Sequence, residues 1–275
     1  MKIQQIIDGI LAKSGISLDP KQTCDQVMWG DTQQEARRIA TTFMATVDVI
    51  RQAIDQGVNF IITHEPTWYT GHDTVGWLEG DEVYEAKKKL LEGSDLVIWR
   101  FHDHMHMGPE DGIYRGFDRK LGWATYRLPH RGGEPEFGGC YELPATTLRG
   151  VADAFHEKLG MDVLQIVGDP EMPVSRVGVY VGGGSLGLGV EERPMQHMRE
   201  NALDLIVCGD ITGWTTVPYI LDAQALGVKR AMLILGHERS EEMGMEFLGE
   251  WLGDIVEDTP VVFIDAREPF RYLLY

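Results

Sequence analysis

Short apolar runs of strand length recur along the chain and alternate with stretches of helical period, and this alternation restricts the fold more than any other feature. The runs are Ile39 to Ala45, Val58 to Thr63, Leu96 to Phe101, Val163 to Val167, Val177 to Val181, Leu203 to Cys208, Ala231 to Leu235 and Val261 to Ile264. Helical spacing appears in Val47, Ile50 and Ile54, behind a capping Thr46 and before Gly57. It returns in Glu82 to Glu92, in Ala145 to Leu159 with Leu148, Val151, Phe155 and Leu159 inward, and in Met245, Leu248, Trp251 and Ile255. Parallel strands need a crossover between them, usually a helix, and that helix covers a sheet face. The expected class is therefore α/β with largely parallel sheets.

The length of 275 residues fits about two domains. A helix expected over Ile113 to Lys120 stops at Gly122, and from Trp123 to Gly139 prolines and glycines replace periodic apolar residues, as in a linker or domain entry. With 25 basic against 43 acidic residues the net charge is −18, which repels phosphate backbones and anionic membranes. Nucleic acid is thus an unfavoured partner. Cys24, Cys140 and Cys208 are odd in number and far apart, which indicates neither a disulfide framework nor a zinc ribbon and fits a reducing cytoplasm. Polar Gln4, Gln5 and Asp8 interrupt the first apolar stretch, unlike a signal-peptide core, and no stretch is long enough to span a membrane.

The chemistry-bearing residues collect where the apolar runs end. One run ends in His64-Glu65-Pro66, another in His102-Asp103-His104-Met105-His106, and a third runs into Gly236-His237 with Glu241 four residues on. These stretches hold five of the nine histidines. In parallel sheets ligands bind outside the carboxyl ends of the strands, so one crevice can collect such residues. Imidazole nitrogen and carboxylate oxygen both bind divalent cations at ~2 Å, which makes the three stretches candidate metal ligands. If the strand before His102 continues, residues 102, 104 and 106 share one face while Asp103 points away. Asp210, at the end of its run, is read either as a carboxylate orienting a ligating histidine or as a helix-start residue. The glycine run Gly182 to Ser185 matches neither a dinucleotide fingerprint nor a P-loop and reads as a flexible turn. No GxSxG elbow is present, which sets nucleophilic serine chemistry aside.

The segments Ile61-Ile62-Thr63-His64-Glu65-Pro66, His102 into Gly112 and Leu121-Gly122, Cys208-Gly209-Asp210, and Gly236-His237 followed by Ser240-Glu241 resemble, in order and context, the Nif-three-like family. Its members are known as GTP cyclohydrolase I type 2 homologues and as hexameric dinuclear metal-centre proteins. The resemblance implies metal ligands at His64, His237 and Glu241. Glu65 stands where the family pattern has a second histidine, His106 where it has an aspartate, and His102 matches an upstream histidine. One nitrogen is exchanged for an oxygen and one oxygen for a nitrogen, so a mixed shell survives in composition. The resemblance further implies one or two divalent ions (Zn, Fe, Mn or Ni), a homohexamer, and a second domain (125–200) inserted in a first (1–124 and 201–275). Two functions follow as expectations. One is a metal-dependent hydrolase acting on a small, nucleotide-like substrate with Glu65 as ligand or base; the other is a non-catalytic oligomeric metal-binding carrier, regulator or scaffold.

Overall fold

The computed structural model describes residues 1–129 and 138–273. Chain order runs α1 (Ile3–Ser14), β1 (Val27–Trp29), β2 (Ile39–Thr42), α2 (Val47–Asp55), β3 (Phe60–Thr63), α3 (Glu82–Glu92), β4 (Val97–Arg100), α4 (Asp103–Met107) and α5 (Gly112–Leu121). It continues with β5 (Gly139–Thr147), α6 (Leu148–Leu159), β6 (Gln165–Val167), β7 (Pro173–Tyr180), α7 (Arg193–Glu200), β8 (Leu205–Cys208), α8 (Thr216–Ala225), β9 (Ala231–Ile234), α9 (His237–Val256) and β10 (Val261–Phe263). The chain forms two compact units. The first comprises Met1–Gly116 and Gly244–Arg267; the second holds the described residues of Phe117–Met243 and those from Glu268 on.

In the first unit the strand order is β1-β4-β3-β2-β10, with every pairing parallel except β1 against β4. Every residue of β2, β3 and β4 is buried, as expected for parallel strands covered on both faces. One core cluster joins Ala40, Ile61 and Ile98 of the sheet to Val49, Ile50 and Ala53 of α2 and Leu91 of α3. The helix ends follow their capping residues. Thr46 accepts the N–H of Val49, Asp81 accepts those of Val83 and Tyr84, and Gly15 closes α1 in the left-handed region at φ 76°. Thr42, Thr63 and Arg100 stand side by side in register, so β2, β3 and β4 finish together and their following residues share one edge.

In the second unit the order is β5-β7-β8-β9-β6, with β7, β8 and β9 parallel and the two outer strands antiparallel. Its core gathers Tyr180, Ile206 and Met232 against Met198 of α7 and Ile220 of α8. Tyr180, Cys208 and Ile234 are in register, so Gly182, Asp210 and His237 follow three adjacent strand ends.

The structure departs from the sequence expectations in three places. Residues 145–147 continue β5 instead of starting a helix: Thr146 and Thr147 pair with Val174 and Pro173, and Thr147 then caps α6 by accepting the Gly150 N–H. Trp123 is no linker residue, since its ring is buried among Phe117, Tyr141 and Phe155 at centroid distances of 5.4–5.8 Å. Residues 130–137 of that stretch lie outside the described residues. Strands β8 and β9, expected in the discontinuous first domain, lie instead in the second sheet, β8 against β7 and β9 between β8 and β6, while β10 returns to β2. Apolar runs of this kind state that a strand is buried but not which neighbour it pairs with. Among the described residues no helix is long and apolar enough to cross a membrane.

Candidate metal centre

His64 leaves the end of β3 fully buried. Its Nδ1 lies 3.2 Å from the carbonyl oxygen of Phe101. A carbonyl only accepts, so Nδ1 carries the proton and Nε2 keeps its lone pair. His106 repeats the arrangement: Nδ1 donates to Asp111 Oδ2 at 2.8 Å, and its Nε2 stands 3.2 Å from that of His64. Two lone pairs thus converge. At a metal–nitrogen distance of ~2.05 Å, two ligands of one ion stand ~2.9 Å apart at a right angle and ~3.3 Å apart at the tetrahedral angle. The observed 3.2 Å falls within that range, so the donors present fit a divalent ion.

His102 is the third member. Its Nδ1 donates to Asp103 Oδ1 at 2.9 Å, and its ring stacks on that of His64 with centroids 4.6 Å apart. The three histidines can each turn one nitrogen inward so that all lie within 4.8 Å of one another. Each is held through its other nitrogen by an acceptor, the arrangement that fixes ring orientation and raises ligand basicity around metals.

A helical turn brings these rings together, not a continued strand. Asp25 Oδ1 accepts the N–H groups of His102 (2.6 Å) and Asp103 (2.8 Å), and Oδ2 accepts that of His104 (2.8 Å). This carboxylate satisfies the donors at the start of α4 and turns the chain out of the sheet. Residues 102 and 106 then lie four apart on one side of the turn, whereas His104 faces Asp25 through Nδ1 at 2.6 Å.

Asp103 receives four hydrogen bonds: from His102, from the Thr23 hydroxyl, and from the N–H and thiol of Cys24. The His102 bond above all, with those from Cys24 and Thr23, holds its carboxyl well below the usual carboxylate range against the opposing effect of burial. Cys24, pushed up to about 12 chiefly by burial, keeps its proton and donates it.

Glu65, also buried, binds Arg100 Nη2 through Oε2 at 3.1 Å, and its Oε1 lies 3.7 Å from His102 Nε2.

The second unit carries its own set. His237 Nδ1 lies 2.8 Å from Asp210 Oδ2, and its Nε2 lies 3.1 Å from Glu241 Oε2, one helical turn along α9. Of the two readings of Asp210, the geometry matches a carboxylate orienting His237. Gly182 occupies the space above the pair at φ +47°, where an added Cβ would come 2.0 Å from Glu241 Oε1 and 2.6 Å from His237 Nε2. Its N–H donates to Ser240 Oγ at 2.9 Å. The glycine run is thus a 3₁₀ segment, Gly182–Gly189, whose first residue must lack a side chain.

A profile of the Duf34/NIF3 family (NGG1p interacting factor 3) matches residues 1–269. The chain belongs to this family. A GTP cyclohydrolase 1 type 2 homolog of Clostridium perfringens is 24% identical over 99% of this chain and 100% of its own length. One from Pseudomonas aeruginosa is 23% identical over 90% of each. A Bacillus cereus protein related to NIF3 has a similar structure, with TM-score 0.74, 15% identity and 99% of both chains covered. A Staphylococcus aureus protein follows at TM-score 0.72 and 19% identity, again over 99% of both chains. These neighbours show the fold, a mixed α/β architecture with two mostly parallel five-stranded sheets.

Several residues that shape the site had no place in the sequence reading. Asp111 shows the strongest missed signal. It stands before Gly112 at the start of α5, accepts the N–H groups of Ile113 and Tyr114, and so reads as a helix cap while also holding His106. Arg100 was legible as an anomaly, a cation closing an apolar strand, which burial obliges to find partners. Asp25 lies 77 residues from His102 and offers no local signal.

Proposed function

We propose that the histidine cluster of the first unit binds a divalent metal ion and that the protein is a metal-dependent hydrolase of small, nucleotide-like substrates. The observation that carries this reading is the pair of Nε2 atoms 3.2 Å apart, each on a ring whose Nδ1 already faces an acceptor. His64, His102 and His106 would hold the ion, with Glu65 as a further oxygen donor, and His237 and Glu241 form the second donor set. An ion held there supplies Lewis acidity, polarising a carbonyl or phosphoryl oxygen. Nitrogen-rich donors of this kind suit Zn, Fe or Ni, with Mn favoured less. Glu65 Oε1 is the carboxylate oxygen placed for either role, as a ligand of the ion or, instead, as the base that takes a proton beside the cluster. Phe101 O, Asp103 and Asp111 keep the rings oriented so that little reorganisation remains at the moment of reaction. The names of the curated relatives support a nucleotide-like substrate, and family membership supports assembly into a homohexamer, which mass photometry tests.

One observation favours the alternative of a non-catalytic metal-binding carrier or scaffold: Arg100 holds Glu65 through Oε2 in a buried ion pair, which gives the carboxylate a structural role. Elemental analysis of purified protein, followed by a panel of GTP, phosphodiester and phosphomonoester substrates, separates the two. Metal-dependent turnover abolished in Glu65→Gln supports the hydrolase. Stoichiometric metal without turnover supports the carrier, and absence of metal after loading defeats both.

A further inference from the structure

Arg100 is 3% exposed at the end of β4, and its three nitrogens reach three acceptors in the segment that follows β3. Nε donates to the carbonyl of His64 at 3.1 Å, Nη1 to the carbonyl of Gly71 at 2.7 Å, and Nη2 to Glu65 Oε2 at 3.1 Å. A guanidinium is planar and rigid, so two bonds to backbone carbonyls fix where the third nitrogen points. Glu65 must meet Arg100 where Arg100 stands. Arg100 takes one carboxylate oxygen, and the other lies toward His102 Nε2.

Charge balance points the same way. Asp73, 4% exposed at its side chain, lies 3.6 Å from Arg100 Nη1, and Lys87, also buried, donates to the Thr67 carbonyl at 2.6 Å beneath the rings of Trp68 and Tyr69. Each of the buried carboxylates Glu65 and Asp73 thus has a buried cation acting on it, Arg100 on both and Lys87 on Asp73. Extra carboxylate charge and chelation by two oxygens favour hard cations such as Ca²⁺, Mg²⁺ and Mn²⁺; a neutralised, one-oxygen carboxylate among imidazoles favours Zn²⁺, Co²⁺ and Ni²⁺.

We propose that Arg100 is a positioning residue that restricts Glu65 to a single donor oxygen, Oε1, toward a metal ion held by the histidine cluster, and thereby selects against hard cations. The proposal rests on the metal-centre reading above and goes beyond it in assigning how Glu65 takes part.

Cobalt(II) loaded into the metal-free full-length protein tests it, because visible ligand-field bands weaken as coordination number rises. Arg100→Met releases Oε2, so the bands weaken and preference for Mn²⁺ over Co²⁺ increases. In the Glu65→Gln background the same substitution has no spectral effect. Glu65→Gln alone provides a test that does not depend on Arg100→Met folding. Arg100 holds the amide oxygen, the amide nitrogen faces the ion, and Co(II) affinity falls about 10–100-fold, as for Glu65→Ala. Co(II) uptake by the wild type with an unchanged spectrum in Arg100→Met, or an equal change in both backgrounds, overturns the proposal while leaving the metal centre standing. Wild-type affinity in Glu65→Gln does the same. Failure of the wild type to take up Co(II) overturns the metal centre and this proposal together.

Discussion

The two units build their histidine sites by the same topological device and surround them with different partners. Each site follows the ends of adjacent parallel strands, β3 and β4 in one and β7, β8 and β9 in the other. In the second unit His237 has a carboxylate at each ring nitrogen, Asp210 at 2.8 Å and Glu241 at 3.1 Å. The anionic neighbours of this imidazole are thus supplied by its own unit. In the first unit the Nε2 atoms of His64 and His106 face each other at 3.2 Å, where a shared proton makes one ring a cation and a divalent ion would take both lone pairs. One set is a histidine between carboxylates; the other is a group of histidines around a point.

Substitutions that separate the two sets test this contrast. The largest effect is expected from His106→Ala, which removes one of the two converging nitrogens: the first unit loses stoichiometric metal by elemental analysis, whereas His237→Ala leaves that ion in place. Retention of full metal content in His106→Ala would equalise the two sets and break the comparison. Asp111→Asn, which exchanges the acceptor of His106 for an amide, is expected to lower metal affinity about 10–100-fold in a chelator competition. Asp210→Asn is expected to leave the first set unaffected in the same assay.

A smaller effect is confined to the second unit. Gly182→Ala places a methyl group into the space of Glu241 and His237 at a left-handed backbone position. It should destabilise the protein by about 1–3 kcal/mol in denaturant melts, with metal content of the histidine cluster unchanged. The smallest effect concerns the buried charges beside the first set. Burial lowers Lys87 from its ordinary 10.5 to about 8, with Asp73 opposing. Between those values the unfolded chain binds more protons than the native one, so this group makes the native state gain stability as pH rises from about 8 toward 10.5. Lys87→Met should remove that gain from the pH profile of Tm; a profile parallel to wild type would place the lysine in ordinary solvent.

The alternation of apolar runs and helical periods made the α/β class legible, since strands such as Phe60–Thr63 are buried on both faces and carry no polar alternation. The histidines were legible because they cluster beyond those runs. What the sequence could not show is long-range in origin. Asp25 turns residues 102–104 into a helix from far along the chain, which moves His104 away from His106 and brings His102 to it. The membership of β8 and β9 in the second sheet depends on pairing partners, which a buried run does not name. Asp111 and Arg100 lay open to inspection as a cap and a buried charge, and each gains its meaning only from the side chain it touches.

Anomalous scattering from a crystal of the zinc-loaded protein, recorded on both sides of the zinc edge, tests the central claim most directly. The account predicts a peak within coordination distance of both His64 Nε2 and His106 Nε2. Zinc-loaded crystals with no anomalous peak between those two nitrogens would contradict it.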